Sequence, residues 1–215
     1  MSSTDLRSTQ ERILDTAEQL FAQRGYYGVS LRDITSACGT ALNMVRYHFG
    51  SKDDLFRAVT GRRTEAMNEA LLRALVAAQS DGAPLELTQI VCAYVTVIGR
   101  LNADPAGWHN YLKLVIHSDS LVDRPELLNH MRESYQPVFE GYVAAFESTG
   151  LSHEDACWSM HFMHTSVAQM AVDVYSIAQL SHGVCDANAQ EGFQRRLVTF
   201  IAAGIRAFMT QPPAQ

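Results

Sequence analysis

The chain has 215 residues, of which 47% are apolar, and its formal net charge is −6. This length and apolar content fit one large folded domain or two modest ones, and they exclude a disordered chain. No charged stretch followed by an apolar core opens the sequence, and no uncharged run reaches about eighteen apolar residues, so we expect a cytoplasmic protein without a membrane span.

Positive charge is concentrated near the amino terminus. Up to Arg63 the chain has nine Lys or Arg residues against seven Asp or Glu residues, whereas the remainder has eight against sixteen. Phosphate contacts favour local positive charge, and an acidic remainder repels the duplex. The charge pattern therefore suits DNA binding at one end of the molecule.

The first predicted helix begins after Ser8 and ends at about Arg24. Ser8 and Glu11 have the spacing of a capping box, apolar residues recur on one face, and Gly25 follows as the end signal. The next residues, Tyr26 and Tyr27, are predicted to lie partly in the core, with a hydroxyl contact to phosphate as the alternative.

Two short helices joined by a glycine turn are predicted between Ser30 and Lys52. Ser30 and Asp33 form a second capping box, Gly39 suits a tight turn, and the helical pattern resumes at Leu42. This arrangement is a helix-turn-helix, whose second helix can enter a DNA major groove. A helical hairpin in an ordinary bundle would show the same local pattern.

The flanking sequences ILDTAEQLFAQRG (residues 13–25) and YHFGSKDDL (residues 47–55) complete a longer motif. Together with the paired helices, they closely resemble the DNA-binding domain of TetR-type bacterial transcriptional repressors over residues 9–60. The resemblance implies an all-α protein of about nine helices. Its three-helix DNA-binding head would span residues 1–50 and its ligand-binding, dimerising body residues 51–215, with a connector helix from about 52 to 79.

Four residues are predicted to read bases. Asn43 lies near the start of the second short helix, and its amide can pair with adenine. By resemblance, Arg32 reaches a base, with guanine as its natural target. Leu42 and Met44 would touch thymine methyl groups or face the core. Ala41 stands where the family usually has a capping Ser or Thr, so Thr40 is predicted to cap this helix instead.

Phosphate contacts are predicted for Arg46, Tyr47 and Lys52. Ser51 should cap the connector, whose free amide groups would then form an anion site. Arg62 and Arg63 would either help at the edge of the DNA or lie on a solvated face.

Five further helices are predicted after Pro84, and no strand pattern appears. By resemblance, the body holds an apolar cavity for a small hydrophobic or aromatic effector, with an acyl chain as one candidate. Its predicted lining combines aromatic, apolar and hydrogen-bonding residues, most of which would equally suit a core. These residues are Trp108, His109, Tyr111, Leu112, Val115, Phe139, Tyr142, Phe146, Trp158, His161, Phe162, His164 and Met170.

The last two helices are predicted, by resemblance, to pair with their copies in a homodimer. The residues proposed for this interface, with an intramolecular core as the alternative, are Leu197, Phe200, Ile201, Ile205 and Phe208. A twofold regulator that reads two half-sites of an operator needs such pairing.

No cofactor or catalytic site is predicted. Cys157, His161 and His164 share one helix face and could bind zinc or copper, but a pocket wall is favoured because no further ligand is fixed nearby. The four cysteines make no Cys-x-x-Cys pair and are predicted to be reduced. The absence of hydrolase, phosphate-binding and dinucleotide motifs favours a ligand-responsive regulator. The alternative is a ligand-binding helical module or an enzyme without DNA binding.

Overall fold

The structure is a computed structural model that describes residues 8–79, 84–104, 107–116, 121–172, 174–185 and 190–210, with backbone only for 170–172, 174–176 and 190–191. Within these ranges every regular element is a helix, which confirms the predicted all-α class. The ten helices are α1 (Thr9–Arg24), α2 (Leu31–Cys38), α3 (Leu42–Phe49), α4 (Lys52–Ala78), α5 (Leu87–Ala103), α6 (Trp108–Ile116), α7 (Pro125–Glu147), α8 (His153–Val172), α9 (Val174–Leu180) and α10 (Gln190–Phe208).

Capping boxes begin several of these helices, among them α1, α2 and α4. At α1 the Ser8 hydroxyl accepts from the Glu11 amide at 3.2 Å, and the Glu11 carboxylate accepts from the Ser8 amide at 2.8 Å. Ser30 and Asp33 repeat the arrangement at α2, which confirms both predictions. The predicted cap at the start of α4 is also present, because the Ser51 hydroxyl accepts from the Asp54 amide at 3.1 Å. These bonds satisfy amide groups that a helix start leaves without partners.

The predicted cap of α3 was wrong. Ala41 occupies the N-cap position and has no side chain that can accept a hydrogen bond, and the Thr40 amide instead donates to the Thr35 carbonyl at 3.1 Å. The chain turns at Gly39 in the left-handed conformation (φ 65°), as predicted, and Thr40 completes this turn. Thr40 therefore belongs to the end of α2 and not to the start of α3.

The chain divides into two compact units. Unit 1 combines the residues up to Glu65 with 113–134, and unit 2 combines 66–112 with residues from Tyr135 onward. The sequence did not indicate that 113–134 belong with the amino-terminal helices. The functional division into 1–50 and 51–215 is a separate statement and stays a prediction.

The core of unit 1 lies between α1, α2, α3 and the beginning of α4. The Phe21 and Phe56 rings meet edge to face at 5.3 Å, a geometry in which aromatic pairs attract. Leu114, Leu121 and Leu127 pack into the same cluster from the distant segment. Their burial explains why that segment belongs to unit 1. The other buried members are Ile13, Ala17, Leu20, Ala22, Tyr26, Val29, Ile34, Val45, Leu55 and Val59.

A buried carboxylate joins α1 to α4 inside unit 1. Glu18 is only 3% exposed, and it accepts hydrogen bonds from Arg62 at 2.7 Å and from Arg63 at 3.0 Å. Arg62 also donates to Asp15 at 2.7 Å. The predicted solvated face for Arg62 and Arg63 was therefore wrong, and their contact with DNA stays a prediction. The two guanidinium groups neutralise Glu18, since an unpaired charge in this position would be costly.

Unit 2 contains the carboxyl-terminal part of α4, with α5, α8 and α10 among its main packed elements. Gly141 of α7 lies against Leu72 of α4 so closely that a Cβ atom would come within 2.8 Å of a Leu72 methyl carbon. The Tyr142 hydroxyl donates to the Leu71 carbonyl at 3.1 Å. The glycine thus permits a close approach of α7 that the neighbouring tyrosine then fixes.

Replacing Glu18 with Gln should lower the free energy of unfolding by about 2–4 kcal/mol, because Arg62 and Arg63 would lose their shared counter-charge in a largely buried site. Urea unfolding followed by circular dichroism measures the change. The matched control is Glu69→Gln, which removes an exposed ion pair between Glu69 and Arg73 of α4. This variant should lower the free energy of unfolding by about 0.5 kcal/mol or less. Equal losses for the two variants would contradict the structural role of Glu18.

Candidate nucleic-acid interface

The second helix of the helix-turn-helix is anchored by a single buried residue. Val45 of α3 is fully buried, whereas Asn43, two residues before it, and Arg46, the residue after it, are exposed. Arg12 of α1 donates to the Cys38 carbonyl at 2.6 Å and so holds the carboxyl end of α2. The eight-residue α3 is thereby fixed through its inner side, and its polar side chains remain accessible.

Most of the predicted DNA-contacting residues lie at the surface of unit 1. Arg32, Asn43, Arg46 and Ser51 are exposed, and the Tyr47 side chain is 81% exposed. A large aromatic residue this exposed contributes little to the core, so its position fits an intermolecular contact better. Two base-reading candidates, Leu42 and Met44, are partly buried. Their burial leaves both roles that the sequence allowed, thymine contact and core packing, open.

Lys52 is held against an aromatic ring. Its Nζ atom lies 4.0 Å from the centroid of the Tyr26 ring, within the range of a cation–π interaction. Partial burial lowers the pKa of Lys52, and the negative charge of Asp53 opposes that effect. Lys52 therefore has a structural partner in addition to the phosphate contact that the sequence predicts.

Tyr26 and Asp53 form a hydrogen-bonded pair beneath this lysine. The tyrosine hydroxyl donates to the Asp53 carboxylate, which also accepts from Arg124 at 3.2 Å. Burial and the hydrogen bond to Asp53 raise the pKa of Tyr26 to about 12. The hydroxyl of Tyr26 is thus engaged inside unit 1, which favours the core role over the phosphate contact. Sequence reasoning missed Arg124 because it is 71 residues away from Asp53.

The start of α4 is less open to anions than the sequence suggested. The Ser51 amide donates to the Asp54 carboxylate at 3.2 Å, and the Ser51 hydroxyl donates to the same carboxylate at 2.5 Å. The hydrogen bonds with Ser51 hold the pKa of Asp54 below its usual value. An anionic side chain therefore already occupies part of the predicted phosphate site.

Three buried or partly buried polar side chains meet within unit 2. The Tyr94 hydroxyl lies 2.7 Å from the Tyr135 hydroxyl and 2.8 Å from Nδ1 of His164. The Tyr135 hydroxyl is 3.1 Å from the same nitrogen. Burial raises the pKa of Tyr94 and Tyr135 well above their ordinary values, so both hydroxyls are neutral at physiological pH. The sequence pointed to His164 but gave no local signal for the two tyrosines, which lie on α5 and α7.

The predicted pocket residues separate into different environments. Tyr111, Leu112, Tyr142 and Phe146 are buried in unit 2, and Trp108, His109 and Phe139 are partly buried there. Val115 is partly buried in unit 1. The side chain of Met170 lies outside the described residues. An interior role in unit 2 is therefore compatible with its buried and partly buried residues. Val115 belongs to the other unit, so it would not line the same interior.

Three predicted pocket residues lie on the exposed side of α8 instead. Trp158 is 50% exposed, Phe162 is 48% exposed, and His161 between them is also exposed. The buried residues of α8, such as Met160 and Met163, point to another side. This placement corrects the expectation that Trp158, His161 and Phe162 line the interior of the body. The sequence could not separate the two sides because apolar residues occur on both.

The exposed aromatic rings of α8 continue onto α10. Trp158 and Phe162 are stacked with ring centroids 5.5 Å apart, and Phe162 is 6.5 Å from Phe208. Phe200 of α10 is 75% exposed. We call Trp158, Phe162, Phe200 and Phe208 the aromatic patch, in which Phe208 is partly buried and Phe200 is included for its exposure on α10. It marks a surface suited to another protein chain, since exposed apolar groups of this kind are typical of interaction sites.

The predicted dimer residues of α10 do not all face outward. Ile201 and Ile205 are buried within the chain, so the intramolecular alternative holds for them, and Leu197 is partly buried. Only Phe200 and Phe208 of this set belong to the aromatic patch. α10 therefore has one side in the core of unit 2 and another side available for contacts.

The proposed metal ligands are engaged in different places. His164 faces the two tyrosines, and the Cys157 sulfur lies 3.7 Å from Nε2 of His153. Among the described residues, no group of three His, Cys, Asp or Glu side chains is arranged to hold a metal ion. The same part of the chain contains no helix that is both long and apolar enough to span a membrane.

Comparison with known proteins identifies the family. Residues 13–59 match the family "Bacterial regulatory proteins, tetR family", and residues 92–204 match "Tetracyclin repressor-like, C-terminal domain". The HTH-type transcriptional repressor AcnR of Corynebacterium diphtheriae is 30% identical over 167 residues, which are 70% of this chain and 87% of that protein.

Two further similarities agree with this result. An HTH-type transcriptional regulator from the lacX 3′ region of Lactococcus lactis is 33% identical over 85 residues, which are 40% of this chain and 42% of that relative. A TetR transcriptional regulator from Legionella pneumophila has the same fold with a TM-score of 0.62 and 22% identity, and the match covers 94% of this chain and 99% of that one. The chain is a member of the TetR family of bacterial transcriptional regulators.

Proposed function

We propose that this regulator is a repressor that binds a palindromic DNA operator as a homodimer and is released by a small hydrophobic effector. The observation that carries the DNA-binding part is the placement of α3. Its inner residue Val45 is buried, while Asn43, Arg46 and Tyr47 remain accessible on the helix that would enter the groove. As a DNA-bound regulator it would act in the cytoplasm.

Base reading is assigned to the beginning of α3 and to α2. The Asn43 side chain can donate from its amide NH2 group to N7 of adenine and accept at its carbonyl oxygen from the N6 amino group. Arg32 can donate to O6 and N7 of guanine. Leu42 and Met44, which are partly exposed, would contact thymine methyl groups. Exposure of the two polar side chains supports this assignment, because a base-reading group must be free of the core.

Phosphate binding is assigned to Arg46, Tyr47, Ser51 and Lys52. Arg46 and Tyr47 follow Asn43 on α3 and are exposed, so they can reach the backbone on either side of a groove. Lys52 keeps its cationic group beside the Tyr26 ring, which would fix its direction toward a phosphate. Ser51 is the weaker member, because its amide and hydroxyl already bond to Asp54.

Dimerisation is assigned to the aromatic patch. Its four rings come from α8 and α10, the helices for which the family resemblance predicts an interface with a second copy. Burying exposed aromatic side chains contributes strongly to the free energy of association, and aromatic residues are enriched in interfaces. Ile201 and Ile205 would support this surface from inside unit 2.

The effector site is assigned to the interior of unit 2. Buried apolar and aromatic side chains there accompany the hydroxyls of Tyr94 and Tyr135 and the imidazole of His164. Such a composition suits a hydrophobic or aromatic molecule with one polar group, and an acyl chain that ends in a carboxylate is one example. The effector would favour a conformation of the dimer in which the two recognition helices no longer fit successive major grooves.

Asn43→Ala and Arg46→Ala should weaken DNA binding in different ways. Asn43→Ala is expected to cost about 1–3 kcal/mol and to relax specificity at one base position. Arg46→Ala should weaken binding to all sequences alike and reduce the slope of log affinity against log salt by about one. Fluorescence anisotropy measures both effects on duplexes selected from a random library by the wild-type protein.

The control for this pair is Arg73→Ala, which removes an exposed cation from the unit 2 part of α4 and should leave DNA affinity unchanged. Equal loss on every sequence for Asn43→Ala and Arg46→Ala would refute the division between base reading and phosphate binding.

Phe200→Asp should convert the dimer to a monomer, because it would place a charge within an apolar interface. Sedimentation velocity at micromolar concentration measures the shift. Val76→Asp is the matched control, since Val76 is also a strongly exposed apolar residue but lies on α4. A monomeric wild-type protein, or dimers that persist in Phe200→Asp, would contradict the proposed interface.

An effector should both stabilise the protein and weaken its hold on DNA. A panel of straight-chain fatty acids and aromatic carboxylic acids can be screened for compounds that raise the melting temperature, because binding to the folded state stabilises it. Those compounds should lower operator affinity, and His164→Leu should reduce both responses. A compound that binds in unit 2 but leaves operator affinity unchanged at saturation would refute release by the effector.

A further inference from the structure

Three polar side chains form a hydrogen-bonded row where α7 ends and α8 begins. The imidazole of His153 lies in the middle, with its Nδ1 atom 2.8 Å from an Oε1 oxygen of Glu147. Its Nε2 atom is 3.7 Å from the sulfur of Cys157. The histidine therefore contacts a carboxylate with one ring nitrogen and a thiol with the other.

The local sequence explains how the three groups meet. His153 and Cys157 are four residues apart on α8, so their side chains share one face of the helix. Ser152 fixes the start of that helix, because its hydroxyl accepts from the Asp155 amide at 3.1 Å. Gly150 takes a positive φ of 98° in the turn after α7, which lets the chain reverse close to Glu147.

This order of groups is suited to activating the thiol. A carboxylate that accepts from Nδ1–H selects the tautomer in which Nε2 has a free lone pair. That lone pair can take the proton of the Cys157 thiol, and the thiolate is the nucleophilic form of cysteine. Glu147 does not touch the thiol and acts as a positioning residue through His153.

We propose that Cys157 is a covalent modification site for small activated alkenes, with His153 as its base. His153 removes the thiol proton, and the sulfur forms a bond to the β carbon of the alkene. The π electrons move to the adjacent carbonyl oxygen, and the resulting enolate takes a proton from the imidazolium at its α carbon. The thiol is thereby added across the double bond with no net oxidation or reduction.

The other cysteines have different surroundings. The Cys38 thiol is 3.9 Å from the Thr35 carbonyl, and the Cys92 sulfur is 3.8 Å from the Thr96 hydroxyl. Neither partner can accept and hold a proton as imidazole does. Cys185 is exposed, as is Cys92, whereas Cys157 is only partly exposed. Simple exposure would therefore rank Cys157 below Cys92 and Cys185, and activation by His153 predicts the opposite order.

Cys157 also lies beside the aromatic patch and not at its centre. It precedes Trp158 by one residue, which corresponds to about 100° of rotation around a helix. The side chain of His153 is 76% exposed, so the row is open to solvent from its own end of α8. A small electrophile can reach the sulfur from the side of His153, without crossing the aromatic patch that is assigned to the dimer contact. This chemistry is independent of DNA binding and goes beyond the proposed function.

The test is a competition among the cysteines of the intact, full-length protein. It is treated with a substoichiometric amount of N-ethylmaleimide, an activated alkene, at pH 7, quenched, digested and analysed by peptide mass spectrometry. We expect the adduct at Cys157 to form about five times faster than at Cys92 or Cys185, a modest value for an activated thiol. A Cys157 rate at or below those of Cys92 and Cys185 would overturn the proposal.

Variants then separate activation from exposure. His153→Gln should lower the Cys157 rate at least about fivefold, to or below the rates of the exposed Cys92 and Cys185, and Glu147→Gln should lower it by a smaller factor. The rates at Cys92 and Cys185 in the same molecules serve as internal references and should not change. Circular dichroism establishes that each variant is folded.

His161→Gln is the matched control, because this imidazole is also exposed on α8 and lies four residues from Cys157 on the other side. It should leave the Cys157 rate unchanged. An equal decrease for His161→Gln and His153→Gln would overturn the assignment of the base. Urea at about 8 M should unfold the protein and make the rates at all cysteines similar, since the row depends on the fold.

Discussion

The amino-terminal unit depends on the neutralisation of Glu18, a carboxylate buried between α1 and α4. Two arginines donate to it, and Asp15 shares one of them, so negative and positive groups are joined into one network. A buried charge without such partners would carry a large desolvation cost. The network thereby fixes α1, which packs against α2 and α3, to the amino-terminal half of α4. The apolar core around Phe21 and Phe56 can then hold α2 and α3 in a defined position.

Several arginines of unit 1 consequently fall into two groups with different surroundings. Arg62, Arg63 and Arg124 pair with carboxylates of the same unit, Glu18 for the first two and Asp53 for Arg124. Arg32 and Arg46 remain exposed at the helix-turn-helix. A net charge counted along the sequence does not distinguish these groups. Cations paired with Glu18 and Asp53 contribute less positive potential at the surface than exposed cations do, so the count for the first 63 residues does not describe the charge around the helix-turn-helix.

In unit 2, α8 presents different chemistry on different sides. His164 faces the buried tyrosines, Trp158 and Phe162 face outward, and Cys157 lies between these directions next to His153. One helix can therefore contribute to an effector site, to a contact with a second chain and to a reactive thiol. Its apolar residues occur on nearly all sides, which is why periodicity alone placed Trp158 and Phe162 in the interior. Their exposure is understandable if another protein surface covers them.

The sequence by itself determined the all-α class, the capping boxes at Ser8 and Ser30, the turn at Gly39 and membership of a DNA-binding family. These features depend on residues three or four positions apart, or on a motif that is continuous along the chain. The tertiary structure alone decided that Arg62 and Arg63 bind Glu18, that Arg124 joins Asp53, and that Tyr94 and Tyr135 meet His164. The partners in these contacts are separated by 29 to 71 residues. Helical periodicity specifies which side of a helix is apolar, but packing between distant helices determines which polar groups that side encloses.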